Sequence, residues 1–208
     1  MSVDHIHWLG HATFRVDDGE TAIYFDPWKL PAGAPKADVI LITHGHFDHH
    51  SADDIAKIEK ADTVFVAPPD VASKLAGKHV VTAVPGGSYQ AGPITVTAVA
   101  AYNINKDFHP KSNGWVGYLV TLSNGQRVYH TGDTDVTPEL QAVQTDVALI
   151  PCGGTYTMTA AEAAAAANVF KPAILIPMHW GDIVGSRDDA EVVAKAFSGK
   201  TVIRPAER

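Results

Sequence analysis

Residues 43 to 50 read THGHFDHH. Four imidazoles and a carboxylate within eight positions lose hydration when a domain folds around them and gain little packing in return. The run Val39 to Thr43 ahead of them reads as the end of a buried strand. Ser51 behind them reads as an N-cap, with SADDIAKIEK carrying acids in its first turn. The cluster therefore lies on a strand-to-helix loop, where sites are commonly built. The spacing His44, His46, Asp48, His49 turns alternate side chains to one side and adds a neighbour. One short loop can thereby feed two adjacent cations. Imidazole and carboxylate are the donor set that borderline divalent metals such as zinc prefer. The alternative is a solvated histidine-rich loop. From this chain's own composition, H-x-H-x-D-H arises by accident in roughly one such sequence in several hundred.

A metal pair needs more ligands than one loop holds, and three other residues stand where they can complete the set. His109 lies in DFHP, after the strand expected at Ile94 to Ala100. Asp133 lies in YHTGDTD, after the strand expected at Arg127 to His130, with Gly132 allowing a tight bend. His179 lies in LIPMHW, after the strand expected at Ile174 to Pro177. Each sits just past a strand.

The frame around these residues is that of an ordinary folded chain. Its 208 residues, 46% apolar and 19% charged, suit one domain over 1–208 that buries its core without disulfides. No apolar run approaches the roughly 18 residues of a membrane span, and MSVDHIHWLG lacks the basic and apolar regions of a signal peptide. With one cysteine, Cys152, these features point to a reducing, cytoplasmic compartment. The net charge is −7 and the lysines are scattered, so no basic track for a nucleic-acid backbone exists and a small-molecule substrate is favoured.

Further strands are expected at His5 to Leu9, Thr13 to Val16, Thr21 to Phe25, Thr63 to Ala67 and Val80 to Val84. In the second half they fall at Val116 to Leu122, Val147 to Ile150 and Thr201 to Arg204. Thr159 begins a helix, TAAEAAAAANVF, with Glu162 in the capping-box position. Shorter helices are expected at Pro69 to Ala76, Thr137 to Val143 and Arg187 to Phe197. Many strands first, mixed elements afterwards and no linker between halves suggest an α+β chain, two sheets face to face with helices outside.

H-x-H-x-D-H, a lone His, an Asp in a G-D-T turn and a final His after a strand resemble, in that order, the metallo-β-lactamase superfamily of metal-dependent hydrolases. The phrases HWLGHATFRV, YFDPW, GGTYTM and PMHW are similar to a small stand-alone branch. That branch includes ascorbate-phosphate lactonase-like proteins and relatives of the phospholipase D that cleaves N-acyl ethanolamine lipids. The resemblance implies a four-layered αββα sandwich with two mixed sheets and the site at one edge. It implies a first metal on His44, His46 and His109, a second on Asp48, His49 and His179, and Asp133 bridging them. His109 sits in an irregular loop; if it is not a ligand, His130 is the substitute, although His130 suits contact with a ligand or with substrate better.

Two divalent ions, zinc before manganese or iron, would then share a hydroxide that attacks an ester, lactone, amide or phosphodiester bond of a small molecule. Asp48 would orient that hydroxide, and His130 or Tyr156 would assist the oxyanion or leaving group. Asp26 in YFDPW either accepts a hydrogen bond from a ligand imidazole or caps the Pro27 turn. His11 is either a hydrogen-bonded loop residue or part of the site, and Cys152 reads as a small core residue before a soft ligand. Trp28, Tyr102, Tyr156 and Trp180 flank the site loops and either wall the pocket or pack in the core. A nuclease of the same superfamily, or a protein that kept the metals and lost catalysis, are the competing readings. Iron redox chemistry is disfavoured because position 46 is His where related proteins place Glu.

Overall fold

The computed structural model describes residues 1–208. The first sheet is assembled in chain order from β1 (Ile6–Gly10), β2 (Thr13–Asp18), β3 (Thr21–Phe25), β4 (Val39–Leu41), β5 (Val64–Ala67) and β6 (His79–Thr82). Its first three strands form an antiparallel meander. From β3 onward the pairing is parallel. The second sheet holds β7 (Ser88–Ala91), β8 (Ile94–Ala100), β9 (Val116–Thr121), β10 (Arg127–His130), β11 (Val147–Pro151), β12 (Ile174–Met178) and β13 (Lys200–Thr201). Strands β7 to β10 run antiparallel, and β10 to β13 parallel.

Parallel strands need helical crossovers, which cover the outer faces. Helices α1 (Ala52–Ile58) and α2 (Pro69–Ala72) cover the first sheet, their Ile55, Ile58 and Val71 packing with Ile40, Ile42 and Phe65. Besides α3 (Pro138–Gln141), the second sheet is covered by α4 (Ala160–Phe170) and α5 (Arg187–Ala196), through Ala163, Ala167, Ala190 and Val193. The larger apolar core lies between the sheets, where Phe14, Ile23, Phe25 and Leu41 meet Val96, Tyr118, Val120 and Val128. The four-layered αββα sandwich implied by the resemblance is the observed architecture. No helix is long and apolar enough to cross a membrane.

Parallel pairing has one consequence for function: β3, β4, β10, β11 and β12 end at the same edge of their sheets, so the loops after them gather there. Two cross-sheet ties hold that edge closed. The Tyr118 hydroxyl donates to the Ile42 carbonyl at 2.9 Å, and Val116 N donates to the Thr43 carbonyl at 3.3 Å. Gly117 is required between them, because a Cβ there would lie 2.4 Å from the Thr131 carbonyl.

Strands β3, β8 and β10 occupy the ranges read from sequence, and both Ser51 and Thr159 cap as expected. Elsewhere the outlines shift. The expected Val80 to Val84 strand is His79–Thr82, and the expected Thr201 to Arg204 strand is Lys200–Thr201, because pairing with β12 extends no further. Strand β7 and a 3-10 turn at Lys111–Asn113 carry no periodic signal of their own. Helices α2 and α3 are single turns.

Asp54 fastens α1 to the segment after β3. It is buried and accepts from Lys29 N at 2.8 Å, Leu30 N at 2.9 Å and Lys57 Nζ at 2.7 Å. Burial pulls its pKa up, but the Lys57 and Ser51 hydrogen bonds and the two backbone N–H groups leave it below the ordinary carboxylate value. A depressed folded-state pKa contributes stability above the unfolded value and loses it as pH falls through the folded one. Asp54→Ala is therefore expected to cost about 2 kcal/mol at pH 7 in urea denaturation. The gap to wild type should narrow as pH falls below about 4. Equal stability at pH 7 would contradict this account.

Candidate metal centre

The loop Thr43 to His50 leaves β4 and turns across the open edge before Ser51 starts α1. His44 and His49 point inward and are buried. Asp133 arrives from the bend after β10, His179 from the end of β12 and His109 from the long loop between β8 and β9. All seven expected ligands meet in one place. Asp133 Oδ2 lies 3.1 Å from His179 Nε2, 3.3 Å from His109 Nε2, 3.4 Å from His49 Nε2 and 3.9 Å from His44 Nε2. His44 Nε2 is 3.0 Å from His46 Nδ1, and Asp48 Oδ2 is 3.7 Å from His49 Nε2.

Donor atoms within 4.8 Å of one another form three overlapping groups: His44, His46 and His109; His44, His49 and Asp133; and His11, Asp48, His49 and His179. The close approaches to Asp133 are not hydrogen bonds by direction. His49 Nε2, His109 Nε2, His179 Nε2 and Asp133 Oδ1 are buried without a hydrogen-bond partner. Each orphan of this kind costs about 1–3 kcal/mol. Three unpartnered imidazole nitrogens aimed at one carboxylate fit bound divalent cations, which take up their lone pairs.

Asp26 sets the direction of two of these imidazoles. Fully buried, its carboxylate accepts from Thr43 N at 2.8 Å, Thr43 Oγ1 at 2.7 Å and His49 Nδ1 at 2.7 Å. With its proton given to Asp26, Thr43 Oγ1 accepts from His44 Nδ1 at 2.9 Å. Both rings thus spend Nδ1–H on this network and present Nε2 to the cluster, as metal-ligating histidines do. Of the two readings open for Asp26, the structure shows the hydrogen bond to an imidazole.

Charge in the cluster follows from burial and neighbours. Burial, reinforced by His49, holds His44 well below the usual histidine value, and burial with His109 lowers His46. Burial also opposes a proton on His49, but Asp133 and Asp26 on either side pull it well above its usual value. Asp133 stays ionised far into acid although burial opposes it, because His179 and His49 face it. Asp48 is likewise drawn down against burial, to about 2, by its hydrogen bond from His11 and by His49. Neutral imidazoles and ionised carboxylates are the forms that ligate metals, so a cation at this site would take the place of the proton that His49 otherwise holds.

His11 is placed where its sequence context left two readings. In the turn after β1 it takes φ +51, packs tilted against His179 with ring centroids 3.9 Å apart, and sets Nε2 2.9 Å from Asp48 Oδ2. Sequence reading did not see the part played by Trp115. Its ring packs against His44, His46 and His109 at 4.8, 4.9 and 5.6 Å between centroids, and its Nε1 donates to Asp70. An isolated tryptophan after a loop carries no signal for such a role.

His130 is placed apart from the cluster. It lies flat on Phe25 at 5.1 Å, with Nε2 2.8 Å from the Ala12 carbonyl and Nδ1 accepting from Gly132 N at 3.2 Å. Fully buried and with both nitrogens engaged, it has neither a ligand position nor an open path to substrate; it ties β10 to the β1–β2 turn. Cys152 is a core residue whose thiol burial pushes up to about 12. Trp180 packs on Trp8, and the Tyr102 hydroxyl donates to Glu139. Of the four aromatic residues expected to flank the site, only Tyr156 lines the cavity above the cluster, which measures about 240 Å³.

Comparison with known proteins gives the family. The sequence profile of the Beta-lactamase superfamily domain matches residues 5–179. A UPF0173 metal-dependent hydrolase of Anaeromyxobacter sp. (strain K) is 33% identical, covering 97% of this chain and 84% of its own. One from Archaeoglobus fulgidus is 34% identical, covering 97% and 96%. The crystal structure of a provisionally named metal-dependent hydrolase from Parabacteroides distasonis superposes with TM-score 0.84 at 33% identity, over 96% of this chain and 91% of that one. A profile that runs from the first strand to His179, and relatives matched over nearly their full length, place the chain in the β-lactamase superfamily, among its UPF0173 metal-dependent hydrolases.

Proposed function

We propose that the protein is a hydrolase that works with two divalent ions, one held by His44, His46 and His109, the other by Asp48, His49 and His179, with Asp133 between them. The observation that carries this reading is the convergence of buried, unpartnered Nε2 atoms on the Asp133 carboxylate. When bound, such ions supply a water acidified to near neutral pH and a Lewis acid for the carbonyl or phosphoryl oxygen. An imidazole and carboxylate donor set suits zinc, with manganese and iron next.

The chain's own residues do the rest. Asp48, kept ionised by His11 and His49, orients the attacking water, whose acidity the bound ions would supply. His11 holds the Asp48 carboxylate at its angle, a positioning role. Asp26, through His49 and through Thr43 to His44, keeps one imidazole of each set aimed at the cluster. Trp115 walls the first set and excludes water from behind it. The reaction is hydrolysis of an ester, lactone, amide or phosphodiester bond in a small molecule. A nucleic-acid substrate is disfavoured because no lysine or arginine lines the cavity.

Elemental analysis of the purified protein is expected to find about two equivalents of divalent metal per chain, and a panel of generic esters and phosphodiesters to include at least one substrate. Asp48→Ala and His46→Ala should each lower turnover of that substrate by roughly a hundredfold or more. Turnover equal to wild type in both variants would reject the enzyme reading and leave a metal-binding protein.

A further inference from the structure

The cavity over the cluster has two unlike halves. Five of its lining residues belong to the proposed ligand set; the other four are Phe47, Phe108, Tyr156 and Ile183. Phe47, Phe108 and Ile183 are 69%, 46% and 40% exposed. Single exposed apolar side chains need no explanation, but a group of them around a concave site marks a binding surface.

These side chains are also held in place. Phe47 stands edge-on to Trp28 at 5.9 Å, and Phe108 edge-on to Tyr156 at 4.8 Å. The loop carrying Ile183 is pinned through Asp182, which pairs with Lys29 at 3.0 Å and with Arg208 at 2.5 Å. Asp182 offsets one of the two charges of Lys29 and Arg208, Asp135 pairs with Lys106, and none of the three cations lines the cavity.

A substrate with a charged group beyond the scissile bond would press it against aromatic faces with no counter-charge and lose its hydration. An uncharged ring or branched chain gains about 25 cal/mol for each Å² it hides there. The 240 Å³ of the cavity is below the roughly 300–1,000 Å³ that holds drug-sized ligands, which limits the occupant to one group about the size of a ring.

Building on the hydrolase reading above, we infer that the substrates are small, uncharged carboxylic esters or lactones whose ring or branched chain seats against Phe47, Phe108 and Ile183. Sugar phosphates and other multiply charged esters are excluded. In the reaction the oxygen of water bonds to the acyl carbon and the acyl–oxygen bond breaks. The proton that water loses passes to the departing alkoxide, which leaves as the alcohol.

The test compares methyl phenylacetate, methyl 4-carboxyphenylacetate and phenyl phosphate on the zinc-loaded protein, with methyl acetate as the small reference. Methyl phenylacetate is expected to exceed both charged compounds at least tenfold in kcat/KM. Phe108→Ala should lower its kcat/KM about tenfold, mainly through KM, and change methyl acetate less than threefold. Saturation-transfer NMR of phenylacetamide with the metal-free protein reads the same pocket without turnover, and Phe108→Ala should weaken that binding at least fivefold. Phe108 is half-exposed, so the variant keeps its fold.

If neither these esters nor the generic ester, amide and phosphodiester panel turns over while phenylacetamide binding still depends on Phe108, the hydrolase reading fails and the pocket assignment stands. If a charged compound turns over as well as methyl phenylacetate, the substrate class is overturned. Phenylacetamide binding indifferent to Phe108→Ala, with retention of the protein on phosphatidylcholine vesicles, would overturn it too and assign the rim to a lipid surface.

Discussion

Asp133→Ala is expected to abolish metal-dependent turnover, by at least about 10³-fold in kcat/KM, or roughly 4 kcal/mol of transition-state stabilisation. The size of the effect follows from position. Asp133 Oδ2 lies within 3.1 to 3.4 Å of the Nε2 atoms of His49, His109 and His179, which belong to both proposed sets, so one truncation weakens both. Without this carboxylate the remaining donors are mostly neutral imidazoles, and the cluster loses the buried negative charge that offsets a divalent cation. Bound metal should fall well below the wild-type equivalent in elemental analysis. The fold should survive, because Asp133 makes no tie to the sheet core and its removal also relieves the raised proton affinity of His49. A variant that retains full metal and a rate within tenfold of wild type would remove Asp133 from the centre of the account.

Asp26→Ala should do the opposite, damaging the fold first and the site second. Three donors point at one fully buried carboxylate: Thr43 N, Thr43 Oγ1 and His49 Nδ1, at 2.8, 2.7 and 2.7 Å. Alanine leaves all three without an acceptor, where water cannot replace it. Breaking a buried, hydrogen-bonded ionic network of this kind costs about 3–5 kcal/mol. Asp26 also takes φ +45, a left-handed conformation that Asp tolerates better than Ala. Asp26→Asn keeps the shape and one acceptor, so it should fold and isolate the effect on the site. Losing the orienting partner of His49 is expected to weaken metal affinity about 10–100-fold, read by competition with a chromogenic chelator. Unfolding free energy within about 1 kcal/mol of wild type for Asp26→Ala would show that the network is not the tie described.

Much of this molecule follows from local patterns. The alternation in Ile94 to Ala100 and the β-branched and aromatic runs in Thr21 to Phe25 and Arg127 to His130 mark those strands, because each signal is a property of its own segment. Ser51 and Thr159 mark helix starts because a cap needs only its own side chain and the N–H groups of the next turn. The ligand types were legible for the same reason: four donors lie on one loop, and each of the other three directly follows or trails a strand. Strand β7, SYQA, was not legible, since it is polar and mostly exposed and is a strand only because β8 pairs with it.

His11 and His130 show where local reading ends. One directly follows and the other ends a strand of a meander, and each is followed within two residues by a small or hydroxyl side chain. Residue types and spacing by themselves marked seven candidate donors, and the resemblance they carry implied a pair of cations at one edge of a two-sheet fold. Which imidazoles turn inward was decided only by tertiary structure. His11, Asp26, His109 and His179 all adopt positive φ, from +45 to +58, a conformation that non-glycine residues take only when surrounding contacts over-determine it. The Phe25 ring and the Ala12 carbonyl claim His130 from the far side of the sandwich. Those contacts come from residues more than a hundred positions away, and no segment of chain carries them alone.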